Sequence, residues 1–137
     1  MKEQKFNANC AMNGRYLLDS NVLIDLLEGN EAVSNLCHIA DSELYISVIT
    51  RIELLSAIRN TEDREAIIHG LLSLFTIVPL DDEVENKTIA IRRKTNLKLP
   101  DSIIAASAII TEAVLITRDY RLASIKWPGL QVQTLAP

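Results

Sequence analysis

The feature that most constrains the fold is the stretch formed by residues 15–25, in which the spacing of apolar residues changes abruptly. Residues 16–18 form a short apolar run that is typical of a buried strand. After Asp19 in the sequence, apolar residues recur at helical spacing, so a helix is predicted to begin where the strand ends. Asp19 is therefore predicted at the carboxyl end of a strand, the edge at which open parallel sheets bind ligands. An Asp or Ser in this place can equally cap the helix.

The rest of the chain repeats this alternation of strand and helix. Further strands are predicted at 44–48, 75–78, 114–116 and 131–133, and helices at about 31–40, 49–59, 62–74, 81–95 and 101–113. The last helix is rich in small residues, Ala105, Ala106 and Ala108, which allow close packing on a sheet. The alternation predicts an α/β fold with a twisted parallel sheet of four to five strands, flanked by helices on both faces.

Length and composition limit the class of protein. A chain of 137 residues with 48% hydrophobic content fits one domain, which we place at residues 15–137. Residues 1–14 are predicted to form a flexible leader that precedes this domain. Cys10 and Cys37 stand far apart and are expected to be reduced thiols. The sequence contains neither a signal peptide nor an apolar run of about 20 residues, so a cytoplasmic protein that makes no membrane contact is expected. The net charge of −4 excludes a general polycation, so nucleic-acid binding would need a local basic patch or a metal.

Four acids fall where strands end or helices begin. Asp19 follows the first strand, Glu53 lies early in the helix after the second, Asp101 opens the Ala-rich helix, and Asp119 follows the fourth strand. Two charges about 5 Å apart repel by about 3 kcal/mol at an effective dielectric near 20, so such a cluster requires protonation or a cation. Ligands that are all oxygen favour Mg²⁺ or Mn²⁺. Taken singly, each acid also has a structural explanation, as a helix cap, a dipole partner, a turn residue or a solvated side chain.

Four segments together resemble a known family. YLLDSNVLIDLL, ISVITRIELLSAI, KLPDSIIAASAI and VLITRDYRL, in this order, resemble the PIN domain, in particular the VapC-like toxin ribonucleases. The resemblance covers about residues 15–135. It implies that Asp19, Glu53 and Asp101 are the three principal acids of the site and Asp119 the fourth, and that Ser20 supports the site from beside the first acid.

The same resemblance implies a function and partners. The family's members are metal-dependent endoribonucleases that use Mg²⁺ or Mn²⁺ and cut structured RNA such as tRNA or ribosomal RNA. They commonly form homodimers and are inhibited by a small VapB-like antitoxin. Side chains expected to contact RNA phosphates are Arg118, Arg121, Lys98 and Arg93.

Three other classes of protein are alternatives to this hypothesis, and the sequence argues against the first two. A phosphatase of the haloacid-dehalogenase type would need a second Asp where Asn21 stands, and a phospho-receiver domain would need an early acid pair and a Lys near Arg118. A catalytically silent PIN-like module that binds RNA or protein is the alternative that the sequence leaves open. Loss of RNA cleavage in EDTA would separate an enzyme from such a module.

Overall fold

The structure is a computed structural model that describes residues 14–29, 43–57 and 62–135. Residues 1–13 of the predicted leader and the helix predicted at 31–40 lie outside the described residues. The elements in chain order are β1 (Arg15–Leu18), α1 (Ser20–Leu27), β2 (Glu43–Ser47), α2 (Val48–Ser56), α3 (Glu62–Leu72), β3 (Thr76–Val78), α4 (Asp82–Lys94), α5 (Leu99–Thr111), β4 (Val114–Thr117), α6 (Tyr120–Ala123) and β5 (Gln131–Thr134).

The five strands form one parallel sheet with the order β3-β2-β1-β4-β5. The predicted α/β fold with a parallel sheet is therefore confirmed. The strand β1 lies in the centre, with Leu17 opposite Tyr45 of β2 on one side and opposite Leu115 of β4 on the other. The chain proceeds from β1 toward one edge of the sheet and returns to build the other edge from β4. The carboxyl ends of β1 and β4 thus flank a topological switch point, where open α/β sheets bind their ligands.

Two apolar clusters cover the two faces of the sheet. Successive side chains of a strand point to opposite faces, so Tyr16 and Leu18 of β1 belong to one cluster and Leu17 to the other. The first cluster includes residues of α1, α2 and α3, and the second includes residues of α4, α5 and α6. These packed faces confirm the predicted arrangement with helices on both sides. None of the helices within the described ranges is long and apolar enough to cross a membrane.

Some element boundaries differ from the prediction by one or two residues. The second strand was predicted to run to Val48, but β2 ends at Ser47 and Val48 begins α2. The physical reason is a cap, because Ser47 Oγ accepts a hydrogen bond from the Ile49 amide at 3.1 Å. Because no residue separates β2 from α2, the first turn of α2 lies at the carboxyl edge of the sheet.

Candidate active site

The fold brings the four acids to the same edge of the sheet from separate elements. Asp19 follows β1 and Asp119 lies two residues beyond β4, and these strands are neighbours. The Asp19 amide donates to Ile116 O at 3.0 Å, so the first acid is fixed against the end of β4. Glu53 lies on α2, and Asp101 lies in the first turn of α5.

Asp19 is the buried member of the group, with 5% of its surface exposed. Its Oδ1 accepts from the Ser20 amide at 2.8 Å, and its Oδ2 accepts from Thr117 Oγ1 at 2.7 Å. Burial raises the pKa of Asp19, the two hydrogen bonds oppose that shift, and the charge of Asp119 adds to it. Asp19 is also the N-cap of α1. Its capping role and its place among the acids are therefore both present in the structure.

The pKa of Glu53 is raised as well. Loss of solvent around the carboxyl is the main cause, and the negative charges of Asp19 and Asp101 add to it. A hydrogen bond from the Ser20 side chain acts in the opposite direction, since it stabilises the charged form. Ser20 therefore lies between two of the acids: its amide binds Asp19 and its hydroxyl binds Glu53.

Asp101 is the third acid whose pKa is raised. Burial raises the pKa of Asp101, followed by the charges of Asp19 and Asp119, whereas Arg121 and Lys98 lower it. The local sequence explains its position, since Pro100 stands in the first turn of α5, where proline is well tolerated. Each of the three acids thus senses the charge of at least one other, which requires that they lie near one another.

Asp119 differs from the other three acids because it forms an ion pair with Arg121. Arg121 Nε and Nη2 lie 3.3 Å and 3.2 Å from the two carboxylate oxygens of Asp119, a bidentate pair. The hydrogen bond from Arg121 holds the pKa of Asp119 below its usual range. The same Nη2 lies 4.0 Å from Asp101 Oδ2. One guanidinium group on α6 therefore borders two of the four acids.

Thr117 is a site residue that the sequence analysis missed. It is fully buried at the end of β4, donates to Asp19 Oδ2 and accepts from the Asp119 amide at 3.0 Å. One hydroxyl thus joins the loops behind β1 and β4. The available signal was a Thr at the last position of a strand, two residues before an acid.

The basic residues predicted to contact RNA have different surroundings. Arg121 and Lys98 lie beside Asp101, as their effect on its pKa shows. Arg118 forms an ion pair with Asp25 of α1. Arg93 is exposed on α4, and the structure gives it no contact with the acids. His69 is exposed on α3 beside Glu65.

The four carboxylates fit a hard cation that keeps part of its water shell better than a cation that is enclosed by protein ligands. Among the described residues, no three His, Cys, Asp or Glu side chains are grouped closely enough to hold one ion between them. Mg²⁺ usually takes only one or two carboxylates directly and keeps several waters for its remaining positions. Burial and mutual repulsion raise the pKa values of Asp19, Glu53 and Asp101, and a divalent cation would relieve both effects. These oxygen ligands therefore fit Mg²⁺ or Mn²⁺.

Comparison with known proteins identifies the family. The family model described as "PIN domain" matches residues 16–128, which include all four acids. The chain belongs to the PIN domain family. A relative from Archaeoglobus fulgidus, described as an uncharacterized protein, is 38% identical over 55 residues, which are 40% of this chain and 84% of that protein.

Several solved structures share this fold over nearly the whole length of the matched chains. A chain of a toxin–antitoxin complex from Klebsiella pneumoniae is 30% identical with a TM-score of 0.72, and the match covers 84% of this chain and 94% of that one. DNA-bound VapBC from Salmonella typhimurium gives a TM-score of 0.77 at 22% identity, covering 88% and 97% of the two chains. VapBC2 from Rickettsia felis, bound to a promoter DNA fragment, gives 0.76 at 20% identity, covering 89% and 99%. The fold of this PIN domain is therefore VapC-like.

Proposed function

We propose that this PIN domain is a metal-dependent endoribonuclease that acts as the toxin of a VapBC-type pair and hydrolyses phosphodiester bonds in structured RNA. The observation that carries the proposal is the convergence of three acids with raised pKa values, Asp19, Glu53 and Asp101, at a switch point of the sheet. A cluster that costs free energy without a cation is a candidate site for one. Membership of the PIN family supports nuclease chemistry at this place.

The residues then take distinct roles. Asp19, Glu53, Asp101 and Asp119 would hold Mg²⁺ or Mn²⁺, directly or through water. A bound divalent ion polarises a phosphate and lowers the pKa of a water molecule, which makes that water a nucleophile at neutral pH. Thr117 keeps Asp19 oriented and lowers its pKa, which favours the ionised ligand form. Ser20 does the same for Glu53.

The neighbouring structures support an antitoxin as the protein partner. The Klebsiella pneumoniae chain comes from a toxin–antitoxin complex and is similar enough to support more than a shared fold. We infer that this chain is bound and inhibited by a VapB-like antitoxin, and that its substrate is a structured RNA such as tRNA or ribosomal RNA. The alternative, a silent PIN-like module, would keep the fold and the partner without cleavage.

The test is RNA cleavage by the purified protein with Mn²⁺ or Mg²⁺, with EDTA, and after the change Asp19→Asn. Asn caps a helix about as well as Asp, so the variant keeps the cap of α1 but loses the charge of a ligand. We expect cleavage to stop in EDTA and in Asp19→Asn.

Asp81→Asn is the matched control, because Asp81 is also an N-cap Asp, accepting from the Val84 amide at 3.0 Å, but on α4. It should cut at the parental rate. Parental cleavage by Asp19→Asn would refute the assignment of Asp19. An inert parent protein that still binds RNA or antitoxin would favour the silent module.

A further inference from the structure

A cavity of about 480 Å³ adjoins the acids on the side of α5 and α6. Its size is within the range of about 300–1,000 Å³ that is typical of ligand pockets. It lies between the end of α4, the loop that leads into α5, and the segment after α6. Its walls include the charged side chains of Lys94, Lys98, Asp101, Arg121 and Lys126.

The charge of this cavity is opposite to that of the whole chain. Four of its lining side chains are basic and one is acidic, whereas the chain has a net charge of −4. Lys94, Lys98 and Lys126 are all exposed, and none of the ion pairs found among the described residues involves them. A local concentration of positive charge on an acidic protein attracts a polyanion to this place.

Two of the three neutral polar side chains of the walls, Thr95 and Ser124, are already engaged with backbone, and the third is Asn96. Thr95 Oγ1 donates to Ile91 O at 2.9 Å and accepts from the Leu97 amide at 3.2 Å. Ser124 Oγ donates to Arg121 O at 2.8 Å. Few neutral groups therefore remain for reading the edge of a base, and the lining contains no aromatic side chain on which a base could stack. Recognition in this cavity depends mainly on charge.

The cavity and the acid cluster share two residues. Asp101 and Arg121 both line the cavity, and Arg121 also pairs with Asp119. A strand whose scissile phosphate lies at the acids therefore passes directly from the cluster into the basic cavity. The loop that forms its wall is braced, because Arg92 Nη1 donates to Leu97 O at 3.3 Å.

We propose that this cavity binds the sugar–phosphate backbone of the RNA strand adjacent to the cleaved bond, through Lys94, Lys98 and Lys126, and does so without regard to base identity. The proposal rests on the proposed nuclease function and defines the direction in which the substrate strand leaves the acids. Contacts to phosphates supply affinity and position, and they carry no sequence information.

The test measures binding of a labelled single-stranded RNA in EDTA over a series of salt concentrations. The variants are Lys94→Gln and Lys126→Gln, because both side chains are exposed. Lys98 is left unchanged, because its charge also lowers the pKa of Asp101. Each lost phosphate contact should reduce the slope of log K against log salt by about 0.7, which is about fivefold in affinity near 0.1 M salt. In Mn²⁺, KM should rise by a similar factor while kcat stays at the parental value. Oligo(U) and oligo(A) should lose affinity equally.

Lys87→Gln is the matched control, because Lys87 lies about two turns before Lys94 on the same helix α4 and is not part of the cavity wall. It should bind with the parental slope. An equal loss in Lys87→Gln, or parental slopes in both cavity variants, would overturn the assignment while the nuclease function stands. Loss of affinity for an acidic oligopeptide with unchanged RNA binding would make the cavity a protein-docking site instead. A parent protein that neither binds nor cuts RNA would refute the proposed function itself.

Discussion

A single buried hydroxyl, that of Thr117, links the two central loops of the candidate site. It donates to Asp19 Oδ2 at 2.7 Å and accepts from the Asp119 amide at 3.0 Å. A hydrogen bond to a carboxylate stabilises the charged form, so Thr117 opposes the effect that burial has on the pKa of Asp19. Without it, the same burial would leave a larger fraction of Asp19 protonated and unable to bind a cation.

Thr117→Val should therefore raise the pKa of Asp19 further. We expect the acidic limb of the pH–rate profile for RNA cleavage to move to higher pH, with the largest loss of rate below neutral pH. The variant should also lose about 1–3 kcal/mol of stability, because the Asp119 amide loses its acceptor. Thr117→Ser keeps the hydroxyl and should restore the parental profile.

Thr88→Val is a suitable comparison for the effect of Thr117→Val. Thr88 is also buried, and its hydroxyl donates to Val84 O at 2.7 Å on α4. Thr88→Val removes a buried hydrogen bond without touching the acids, so it should lower stability but leave the pH–rate profile unchanged. A parental profile in Thr117→Val would show that Thr117 does not tune Asp19.

The residue scale also shows how far sequence reasoning reaches. The place of Asp19 between a strand and a helix could be predicted, because the change in apolar spacing at that residue depends only on its neighbours in the sequence. The role of Thr117 could not, because its partner is 98 residues away and depends on β1 and β4 being neighbours. The bidentate pair of Arg121 with Asp119 spans only two residues, but its guanidinium also borders Asp101, which sequence spacing does not show.

Among the elements, α5 positions an acid through its packing. Ala105, Ala106 and Ala108 are fully buried in the cluster that includes Leu17 and Leu115 of the sheet. Small side chains let the helix axis approach the sheet closely, as predicted from the sequence. Since Asp101 lies in the first turn of the same helix, the depth of this packing sets the position of the acid.

Ala106→Leu should displace α5 from the sheet. Overpacking of a dense core costs about 1–3 kcal/mol, so we expect a lower midpoint in urea, and RNA cleavage should fall even where the variant remains folded. Ala66→Leu on α3 is the control, because Ala66 is exposed and leucine is also a good helix former. It should unfold at the parental midpoint. Equal stability of the two variants would show that the close packing of α5 on the sheet does not set the position of Asp101.

Elements were easier to predict than their ends. The five strands and the helices α1 to α5 follow from apolar periodicity, which depends only on nearby residues, whereas the four-residue helix α6 was not predicted. The end of β2 was placed one residue late because Val48 is a good strand residue, whereas the Ser47 hydroxyl caps α2. A cap is a single hydrogen bond, and it outweighs the preference of one side chain.

At the scale of the whole molecule, the order of the strands decides which acids meet. The order β3-β2-β1-β4-β5 places the ends of β1 and β4 side by side, and thereby Asp19 beside Asp119. A parallel sheet could be predicted from the alternation of strands and helices. The order within it could not, because it depends on contacts between distant segments.

Self-association is expected from the apolar surface on one side of the sheet. Ile52 of α2, Ile67 of α3 and Leu74 are 51%, 58% and 62% exposed, and an unpaired apolar surface often marks an interface. We predict a C2 homodimer, so light scattering should give twice the chain mass of 15.3 kDa. Ile67→Glu should shift the mass toward the monomer, whereas Ile89→Glu on α4, across the sheet, should not. A monomer at high micromolar concentration would contradict the prediction.

Stability of the whole chain should respond to pH in an unusual direction. The pKa values of Asp19, Glu53 and Asp101 are raised in the folded protein, so between the ordinary and the raised values the folded state binds more protons than the unfolded state. Stability therefore rises as pH falls through the raised values, and the full penalty remains above them. Asp119 has the opposite sign: its pKa is lowered, and its stabilisation is lost only as pH falls through that lowered value.

The metal-free protein should thus melt at a higher temperature in mildly acidic buffer than at neutral pH. Asp101→Asn removes one of the repelling charges, so in EDTA at neutral pH it should melt no lower than the parent and show a weaker pH dependence. Mn²⁺ binds only the folded site, and at about 100 times its Kd it would add about 2.7 kcal/mol to the parent. Asp101→Asn should gain clearly less. If Asp101 were only a partner of the helix dipole, the variant would melt lower and Mn²⁺ would change neither protein. Thermal melts of both proteins at two pH values, in EDTA and in Mn²⁺, distinguish these outcomes.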